Sequence, residues 1–233
     1  MHKKTLPEKN IEKANLLKNL AAKAAIEYIE PGMTIGLGTG STVNFLIDNH
    51  LVKIKSKIGR VISSSLQSTE KLNSIGIKTD SLNQINSIDL YIDGADEANK
   101  NRQLIKGKGG ALTCEKICRA CSKKFICIVD SSKYVTTLGE NLPIPIEVIP
   151  MARSYVIRQI SKIGGKGVYR NNYITDSNNE IIDAWNLSIN NTNAQGLEAA
   201  LNNIPGVVES GIFAKHPADL LIIAQSSSNV IKI

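Results

Sequence analysis

The sequence is poor in aromatic residues and contains no long apolar run. Phenylalanine, tryptophan and tyrosine make up only 4% of the 233 residues, so isoleucine, leucine and valine must supply most of the core volume. No stretch approaches the roughly 18 apolar residues that a membrane-spanning helix needs. The segment 1–7 carries lysines but lacks the apolar region of a secretory signal. We therefore expect a cytoplasmic chain that makes no membrane contact.

Acidic residues are outnumbered by basic ones, 21 against 28, and the net charge is +7. The basic residues are spread along the chain without a long run and without interleaved aromatic residues. A surface that binds nucleic acid usually has both features, so we do not expect a nucleic-acid partner. The excess of positive charge fits a small phosphorylated molecule equally well.

Cysteine is also scarce, and its four copies fall in one segment: Cys114, Cys118, Cys121 and Cys127. Disulfides across such short loops would do little for a chain of this size, and cytosolic thiols stay reduced. The spacing of the first three matches the iron–sulfur motif of radical enzymes that cleave S-adenosylmethionine. The intervening residues are good helix formers, however, and the three cysteines would share one helix face. This pattern favours a buried helix face over a metal site.

The first part of the chain alternates between strands and helices. The apolar pattern predicts helices through 11–25, 43–51, 68–75 and 111–122, and strands at 33–37, 59–63, 88–92 and 125–129. Such alternation is typical of a parallel sheet covered on both faces, which places this part of the chain in the Rossmann-like α/β class.

The rhythm changes after residue 140. The pattern there predicts, in order, strand 144–148, helix 152–163, strands 167–170 and 173–183, helix 194–204 and strand 207–213. This βαββαβ order is ferredoxin-like. The apolar run 218–224 suits a buried strand that returns to the first sheet. We therefore expect a Rossmann-like catalytic domain (1–139 plus 214–233) that carries an inserted α+β domain (140–213).

A glycine-rich turn, Gly36-Leu-Gly-Thr-Gly-Ser-Thr42, lies between a predicted strand and a predicted helix. Glycines let the backbone approach a ligand, and the N–H groups at a helix start attract phosphate. The turn lacks the third glycine of a dinucleotide fingerprint and the Gly-Lys-Ser/Thr of a P-loop. It therefore indicates a monophosphate site, although such a turn can also serve packing alone.

Carboxylates follow the predicted strand 88–92 in the sequence Asp93-Gly-Ala-Asp96-Glu97. The carboxyl end of a parallel strand is where open α/β sheets bind ligands. A single acid there would read as a solvated turn or a helix cap. Three acids in five residues favour a functional site.

The stretch Lys106-Gly-Lys-Gly-Gly-Ala-Leu-Thr-Cys-Glu115 can bring an ammonium and a carboxylate to one pocket. Proton transfer between adjacent sugar carbons needs a base and a cation beside the enediolate oxygen. Glu115 could instead be a first-turn acid that favours the helix dipole, with Lys106 on the surface. The spacing alone leaves both interpretations open.

Several motifs in order resemble the ribose-5-phosphate isomerases of the A type, from about residue 9 onward. The matching stretches are Gly38-Thr-Gly-Ser-Thr42, Ser63-Ser-Ser65, Ser68-Thr-Glu-Lys-Leu72, Tyr91-Ile-Asp-Gly-Ala-Asp-Glu97, 106–116, Val129-Asp-Ser-Ser-Lys133, 142–153, Thr175-Asp176, Ile182-Asp183 and Ile204-Pro-Gly-Val-Val208. The resemblance implies an isomerase of the pentose phosphate pathway that uses no metal or organic cofactor. It also implies a homo-oligomer, either a dimer or a tetramer.

The resemblance assigns catalysis to Glu115 as general base, Lys106 as stabiliser of the enediolate, and Asp93 and Asp96 as carboxylates that hold sugar hydroxyls and assist ring opening. It implies that substrate also contacts Thr39, Gly40, Ser41, Thr42, Gly94, Ala95, Gly107, Lys108, Gly109 and Lys133, with Lys18 a further candidate near the phosphate. Two positions depart from the family pattern, because Lys108 interrupts a glycine run and Cys114 replaces an arginine. Neither change touches a proposed catalytic side chain, so we expect activity to survive.

Two other functions remain as alternatives. A sugar-phosphate sensor could keep the fold and the phosphate turn without catalysis, although sensors of that kind commonly carry a DNA-binding domain. A related acyl- or CoA-transferring fold could use a glutamate as nucleophile. The retention of Asp93, Asp96, Lys106 and Glu115 together favours the isomerase.

Overall fold

Alternating helices and strands build most of the chain in a computed structural model that describes residues 6–187, 189 and 193–233. The α-helices are α1 (Leu6–Ala25), α2 (Ser41–Phe45), α3 (Val52–Ile54), α4 (Leu66–Ser74), α5 (Leu112–Ala120), α6 (Arg153–Lys162) and α7 (Ala194–Asn202). A π-helical segment, Leu46–Leu51, joins α2 to α3. No described helix has the length and apolar character needed to cross a bilayer.

Thirteen strands in the described ranges form three sheets. They are β1 (Thr34–Leu37), β2 (Arg60–Ser63), β3 (Ile88–Asp93), β4 (Glu97–Ala98), β5 (Leu104–Ile105), β6 (Ser122–Asp130), β7 (Ile144–Val148), β8 (Lys166–Tyr169), β9 (Glu180–Trp185), β10 (Val207–Ser210), β11 (Ile212–Phe213), β12 (Leu220–Ser226) and β13 (Asn229–Lys232). The orders within the sheets are β13-β12-β6-β3-β1-β2, β10-β7-β9-β8 and β11-β5-β4.

The six-stranded sheet is parallel except for β13, which pairs antiparallel with β12. Aliphatic residues such as Ile35, Leu90 and Ile126 are buried on the face that packs against α1 and α2. The opposite face buries Tyr91 and Phe125 in a cluster that includes α5. Burial on both faces explains why these strands read as nearly continuous apolar runs.

The four-stranded sheet is antiparallel throughout. Its chain order β7-α6-β8-β9-α7-β10 is the predicted βαββαβ, and Val156 on α6 and Leu201 on α7 pack into its core. The predicted fold class, a mostly parallel α/β sheet with a separate α+β unit, is therefore confirmed.

Two predicted strands differ in the structure. The strand predicted at 173–183 covers only Glu180–Trp185, because 171–179 forms turns in which Thr175 binds the backbone of Asn179 and Asn172 and Asn178 adopt positive φ. Such local side-chain bonds compete with a strand ladder.

The strand predicted at 207–213 is divided at Gly211, where the chain passes from the four-stranded sheet to the three-stranded one. Gly211 donates its N–H to Pro145 O and accepts from Lys106 N, and a Cβ there would lie 2.2 Å from Lys106 O. The close approach of two chains explains both the glycine and the break.

The cysteines belong to the packing of α5 and β6. Cys118 and Cys127 are buried in the cluster around Phe125, and Cys114 and Cys121 are half-buried. Burial raises the pKa of both buried thiols. Across the described ranges, no group of three or more His, Cys, Asp or Glu residues is placed to hold a metal ion.

Lys116 joins α5 to the four-stranded sheet and to the strand that follows it. Its Nζ lies 2.9 Å from Glu198 Oε1 and 2.8 Å from Glu209 Oε1. It also donates to the carbonyls of Ser210 and Ile212, at 2.7 and 2.6 Å. One largely buried ammonium therefore holds the helix that carries Glu115 to three neighbouring elements, α7, β10 and β11.

We expect Lys116→Met to destabilise the fold by about 3–5 kcal/mol, because two carboxylates lose their cation in a largely buried place. The free energy of unfolding, measured by urea titration, checks this. The matched control is Lys123→Met, which breaks a 2.7 Å ion pair to Asp89 whose lysine side chain is 66% exposed. We expect that variant to change stability by less than about 1 kcal/mol. Equal effects in the two variants would contradict the prediction.

Candidate active site

A cavity of about 390 Å³ opens at the carboxyl ends of β1 and β3. The chain leaves β1 toward β2 on one side, whereas β3 lies on the other side, so this edge is the topological switch point of the sheet. Open α/β sheets bind their ligands at such points. The lining residues are Lys18, Thr39, Gly40, Ser41, Thr42, Gly94, Ala95, Asp96, Lys106, Gly107, Lys108, Gly109, Glu115 and Lys133.

The glycine-rich turn after β1 forms one wall of the cavity. Gly38 lies against Asp93, and a Cβ there would sit 1.7 Å from the carboxyl carbon, so only glycine fits. Gly40 has a φ of 99° and precedes Ser41, the first residue of α2. This backbone shape favours glycine, and it places the hydroxyls of Ser41 and Thr42 along the cavity wall.

Lys106 is buried beside the cavity, with 3% of the residue exposed. Its Nζ lies 2.8 Å from Asp93 Oδ2 and 3.4 Å from Glu115 Oε1, and it donates to Gly94 O at 2.5 Å. Burial works against the charged form, but the two carboxylates outweigh it and raise the pKa of Lys106 above its usual value. The raised pKa favours the charged form at neutral pH, and the burial of Lys106 excludes its interpretation as a surface residue.

Asp93 is fully buried behind the residues that line the cavity, and it forms an ion pair with Lys106 there. Its Oδ2 also accepts from the Tyr91 hydroxyl at 2.5 Å. Its Oδ1 accepts backbone N–H groups from Gly94 at 2.7 Å and from Thr39 at 3.2 Å. Four protein donors thus engage this carboxylate, and Asp93 is absent from the cavity lining. Its predicted contact with sugar hydroxyls stays a prediction.

Glu115 lies in the first turn of α5 and is 4% exposed. Burial raises the pKa of its carboxyl to about 8; Lys106 opposes this shift, and the negative charges of Asp93 and Asp96 add to it. Its Oε2 is buried without a hydrogen-bond partner in the part of the chain that the structure describes. An unpartnered carboxylate oxygen with a raised pKa, in a residue that lines a cavity, is well suited to take up and release a proton.

Asp93, the last residue of β3, and the two acids that follow it have different environments. Asp96 lines the cavity, and its Oδ2 accepts the N–H of Lys108 at 2.9 Å. Glu97 is buried in the three-stranded sheet, where it accepts the N–H of Gly139 at 2.7 Å. Asp93 lies below the wall. Only Asp96 therefore presents its carboxylate within the cavity.

The cavity brings together the candidate residues from the turn after β1, the loop after β3, the loop before α5, and Lys133. Tyr91, which supports Asp93, had no role predicted from the sequence. Its position two residues before Asp93 in β3 was the available signal, because alternate residues of a strand share a face. Arg170 and Tyr173 also had no predicted role. They bind the loop 107–109 but lie far from it in the sequence.

The chain matches a family model described as ribose 5-phosphate isomerase A (phosphoriboisomerase A) over residues 60–228. Ribose-5-phosphate isomerase A of Francisella tularensis subsp. novicida is 57% identical over 215 residues, which cover 92% of this chain and 94% of the relative. The protein of that name from Blochmanniella pennsylvanica is 53% identical over 209 residues, with 90% and 94% covered.

Solved structures agree with these sequence matches. Ribose 5 phosphate isomerase A from Neisseria gonorrhoeae superposes with a TM-score of 0.89 at 41% identity, covering 94% of this chain and 96% of that one. A D-ribose-5-phosphate isomerase in complex with phospho-erythronic acid superposes with a TM-score of 0.87 at 40% identity, with 93% and 97% covered.

We expect the Glu115 carboxyl to titrate near pH 8, since burial disfavours its charged form. Carboxyl-carbon NMR of protein labelled at glutamate checks this, with Glu115→Gln identifying the resonance. The protonated form stabilises the fold at low pH, and that contribution is lost as the pH rises from the usual 4.5 through about 8. A Glu115 resonance that titrates near 4.5 would contradict the prediction.

Proposed function

The chain belongs to the ribose 5-phosphate isomerase A family, and from this premise we propose that its cavity interconverts ribose 5-phosphate and ribulose 5-phosphate. The observation that carries the assignment is the pair formed by Glu115 and Lys106 in one cavity. The pair supplies the two groups that an aldose–ketose isomerisation needs, a base for the proton and a cation for the oxygen.

Glu115 is the proposed general base. Its ionised carboxylate takes the proton from C2 of the open-chain aldose and returns it to C1, while the hydroxyl proton passes from O2 to O1, so that the carbonyl moves from C1 to C2. The raised pKa suits both halves of this transfer, because a base with a pKa near the working pH accepts and gives back a proton readily. In the reverse direction the same carboxylate takes the proton from C1 and delivers it to C2.

Lys106 is the proposed stabiliser of the enediolate. Negative charge develops on the sugar oxygens while the proton is on Glu115, and the ammonium is already fixed beside that carboxylate, 3.4 Å away. A charge held in place before the reaction needs no reorganisation when the anion forms. Asp93 keeps the ammonium charged and oriented, which gives Asp93 a supporting role in addition to the predicted contact with sugar hydroxyls.

The phosphate of the substrate is proposed to bind the turn Thr39–Thr42, with Lys18 and Lys133 as further cations in the cavity lining. Hydroxyls, backbone N–H groups and ammonium groups are the usual partners of a phosphate. The carboxylate of Asp96, with the loop residues Gly107–Gly109, is left for the sugar hydroxyls and for ring opening. One end of the cavity thus holds the anion while the other carries the reacting groups.

Family membership also supports a homo-oligomer, either a dimer or a tetramer, in the cytoplasm and in the non-oxidative pentose phosphate pathway. The separate sheets support a division into a catalytic domain (1–139 plus 214–233) and an inserted domain (140–213). A sugar-phosphate sensor of related fold would bind without turnover, and the unpartnered Glu115 oxygen gives that alternative no support.

Glu115→Gln should lower kcat by about 10²–10⁴-fold with a similar affinity for ribose 5-phosphate, because the amide cannot accept the proton. The measurement follows ketose formation in deuterated water and the entry of deuterium at C1 or C2. The matched control, Glu70→Gln, changes an exposed glutamate on α4 and should keep full activity. An active Glu115→Gln variant would remove Glu115 from the role, and a wild-type protein that binds without turnover would favour the sensor.

The proposed reaction uses only a carboxylate and an ammonium, so treatment with a chelator should leave the rate unchanged. The check is the initial rate with ribose 5-phosphate before and after dialysis against EDTA. A rate that falls and then returns when a divalent metal is added would contradict the metal-free scheme.

A further inference from the structure

Three successive carbonyls of the loop before α5 accept hydrogen bonds from two side chains. Both side chains belong to the segment that joins β8 to β9. Arg170 donates to the carbonyls of Gly107 and Lys108, and the Tyr173 hydroxyl donates to that of Gly109. We propose that Arg170, held by Asp183, is a positioning residue that fixes the active-site loop Gly107–Gly109 and through it Asp96. This inference rests on the proposed isomerase function.

Arg170 is itself held rigidly. Its Nε lies 2.9 Å from Asp183 Oδ2, and its Nη2 lies 2.5 Å from Asp183 Oδ1, so the pair is bidentate. Asp183 is on β9, in the middle of a hydrogen-bonded antiparallel sheet. Both side chains are 18% exposed, which limits their screening by water. The guanidinium therefore has a fixed orientation before it meets the loop.

The remaining nitrogen of the same guanidinium reaches the loop. Nη1 donates to Gly107 O at 3.1 Å and to Lys108 O at 3.0 Å. The Tyr173 hydroxyl donates to Gly109 O at 2.7 Å. A loop with two glycines in three residues has high conformational freedom, so external bonds are needed to select one conformation.

The orientation of one loop peptide links Arg170 to the cavity. Peptide bonds in the described ranges are trans, and in a planar trans peptide the C=O and the N–H point to opposite sides. When Arg170 holds the carbonyl of Gly107, the N–H of Lys108 must point the other way. That N–H donates to Asp96 Oδ2 at 2.9 Å. A bond on the outer side of the loop thus fixes a carboxylate on the inner side.

The chemistry of arginine suits this position. Its planar fork binds a carboxylate through two parallel bonds while another nitrogen remains for the carbonyls. Lysine has a single ammonium and would have to choose between Asp183 and the loop. We therefore expect Arg170→Lys to fail to restore the function of Arg170.

The test compares Arg170→Met with Arg153→Met. Arg153 is the matched control, because it also pairs with a carboxylate of β9, Glu180 at 3.1 Å, and stacks on a tyrosine, Tyr169. It is not among the residues that line the cavity. Both variants are assayed for kcat and KM with ribose 5-phosphate, and their thermal unfolding is measured.

We expect Arg170→Met to lower kcat by about 10–100-fold, since a displacement of about 1 Å at a reacting group can have that effect. KM should change by less than about threefold, because the proposed phosphate contacts come from the turn Thr39–Thr42 and are kept in this variant. Arg170→Lys should resemble Arg170→Met, and Arg153→Met should resemble wild type. Loss through general destabilisation would instead lower the unfolding temperature without this separation of kcat from KM.

Arg170→Met with wild-type kcat would overturn the positioning role while leaving the isomerase assignment intact. A wild-type protein that does not isomerise ribose 5-phosphate would overturn both. If Arg170→Met does not fold, Tyr173→Phe decides, since it removes the hydroxyl that donates to Gly109 O of the same loop. We expect Tyr173→Phe to lose about 2–10-fold in kcat, the equivalent of one hydrogen bond, and an unchanged kcat would overturn the proposal.

Discussion

The buried contact between one ammonium and two carboxylates is the constraint on which the site depends. Lys106 lies 2.8 Å from Asp93 and 3.4 Å from Glu115, and all three residues are almost completely buried. Charges removed from water are costly unless they are paired, and a single cation can fully compensate only one anion. Asp93 is the better paired carboxylate, so the shortage of positive charge falls on Glu115. The fold therefore leaves the carboxylate that we propose as the general base incompletely neutralised.

The surrounding structure keeps Asp93 better paired with donors and positive charge than Glu115. Asp93 receives four donors, two of them backbone N–H groups at the carboxyl ends of neighbouring strands. Gly38 allows the backbone to come close enough for this, since any side chain there would occupy the position of the carboxylate. Burial and Asp93 raise the pKa of Tyr91 well above its usual value, so its hydroxyl remains a donor. Within the described ranges, the carboxylate of Glu115 has only the longer contact to Lys106.

Local patterns in the sequence were enough to find the main parts of the site, but the distribution of roles among them depends on packing. The glycine turn, Asp96, Lys106 and Glu115 follow strand ends or begin helices, and the topology of an open parallel sheet brings such positions together. Asp93 was not distinguishable from Asp96, because its depth depends on Gly38 from another strand. Arg170 is separated by 63 and 62 residues from the loop carbonyls that it binds, and no motif near it signals that contact.

The contacts of Gly211 imply that the site is completed late in folding. Its carbonyl accepts the backbone N–H of Lys106, which follows β5, and its N–H donates to the carbonyl of Pro145 on β7. One glycine late in the chain therefore connects the three-stranded and four-stranded sheets beside Lys106. Strand β12, which lies beside β6 in the main sheet, is made later still. During synthesis, the N-terminal motifs therefore emerge long before the contacts that shape them exist. Such long-range contacts form late, so a nascent chain carries all the proposed catalytic side chains before the cavity that unites them exists.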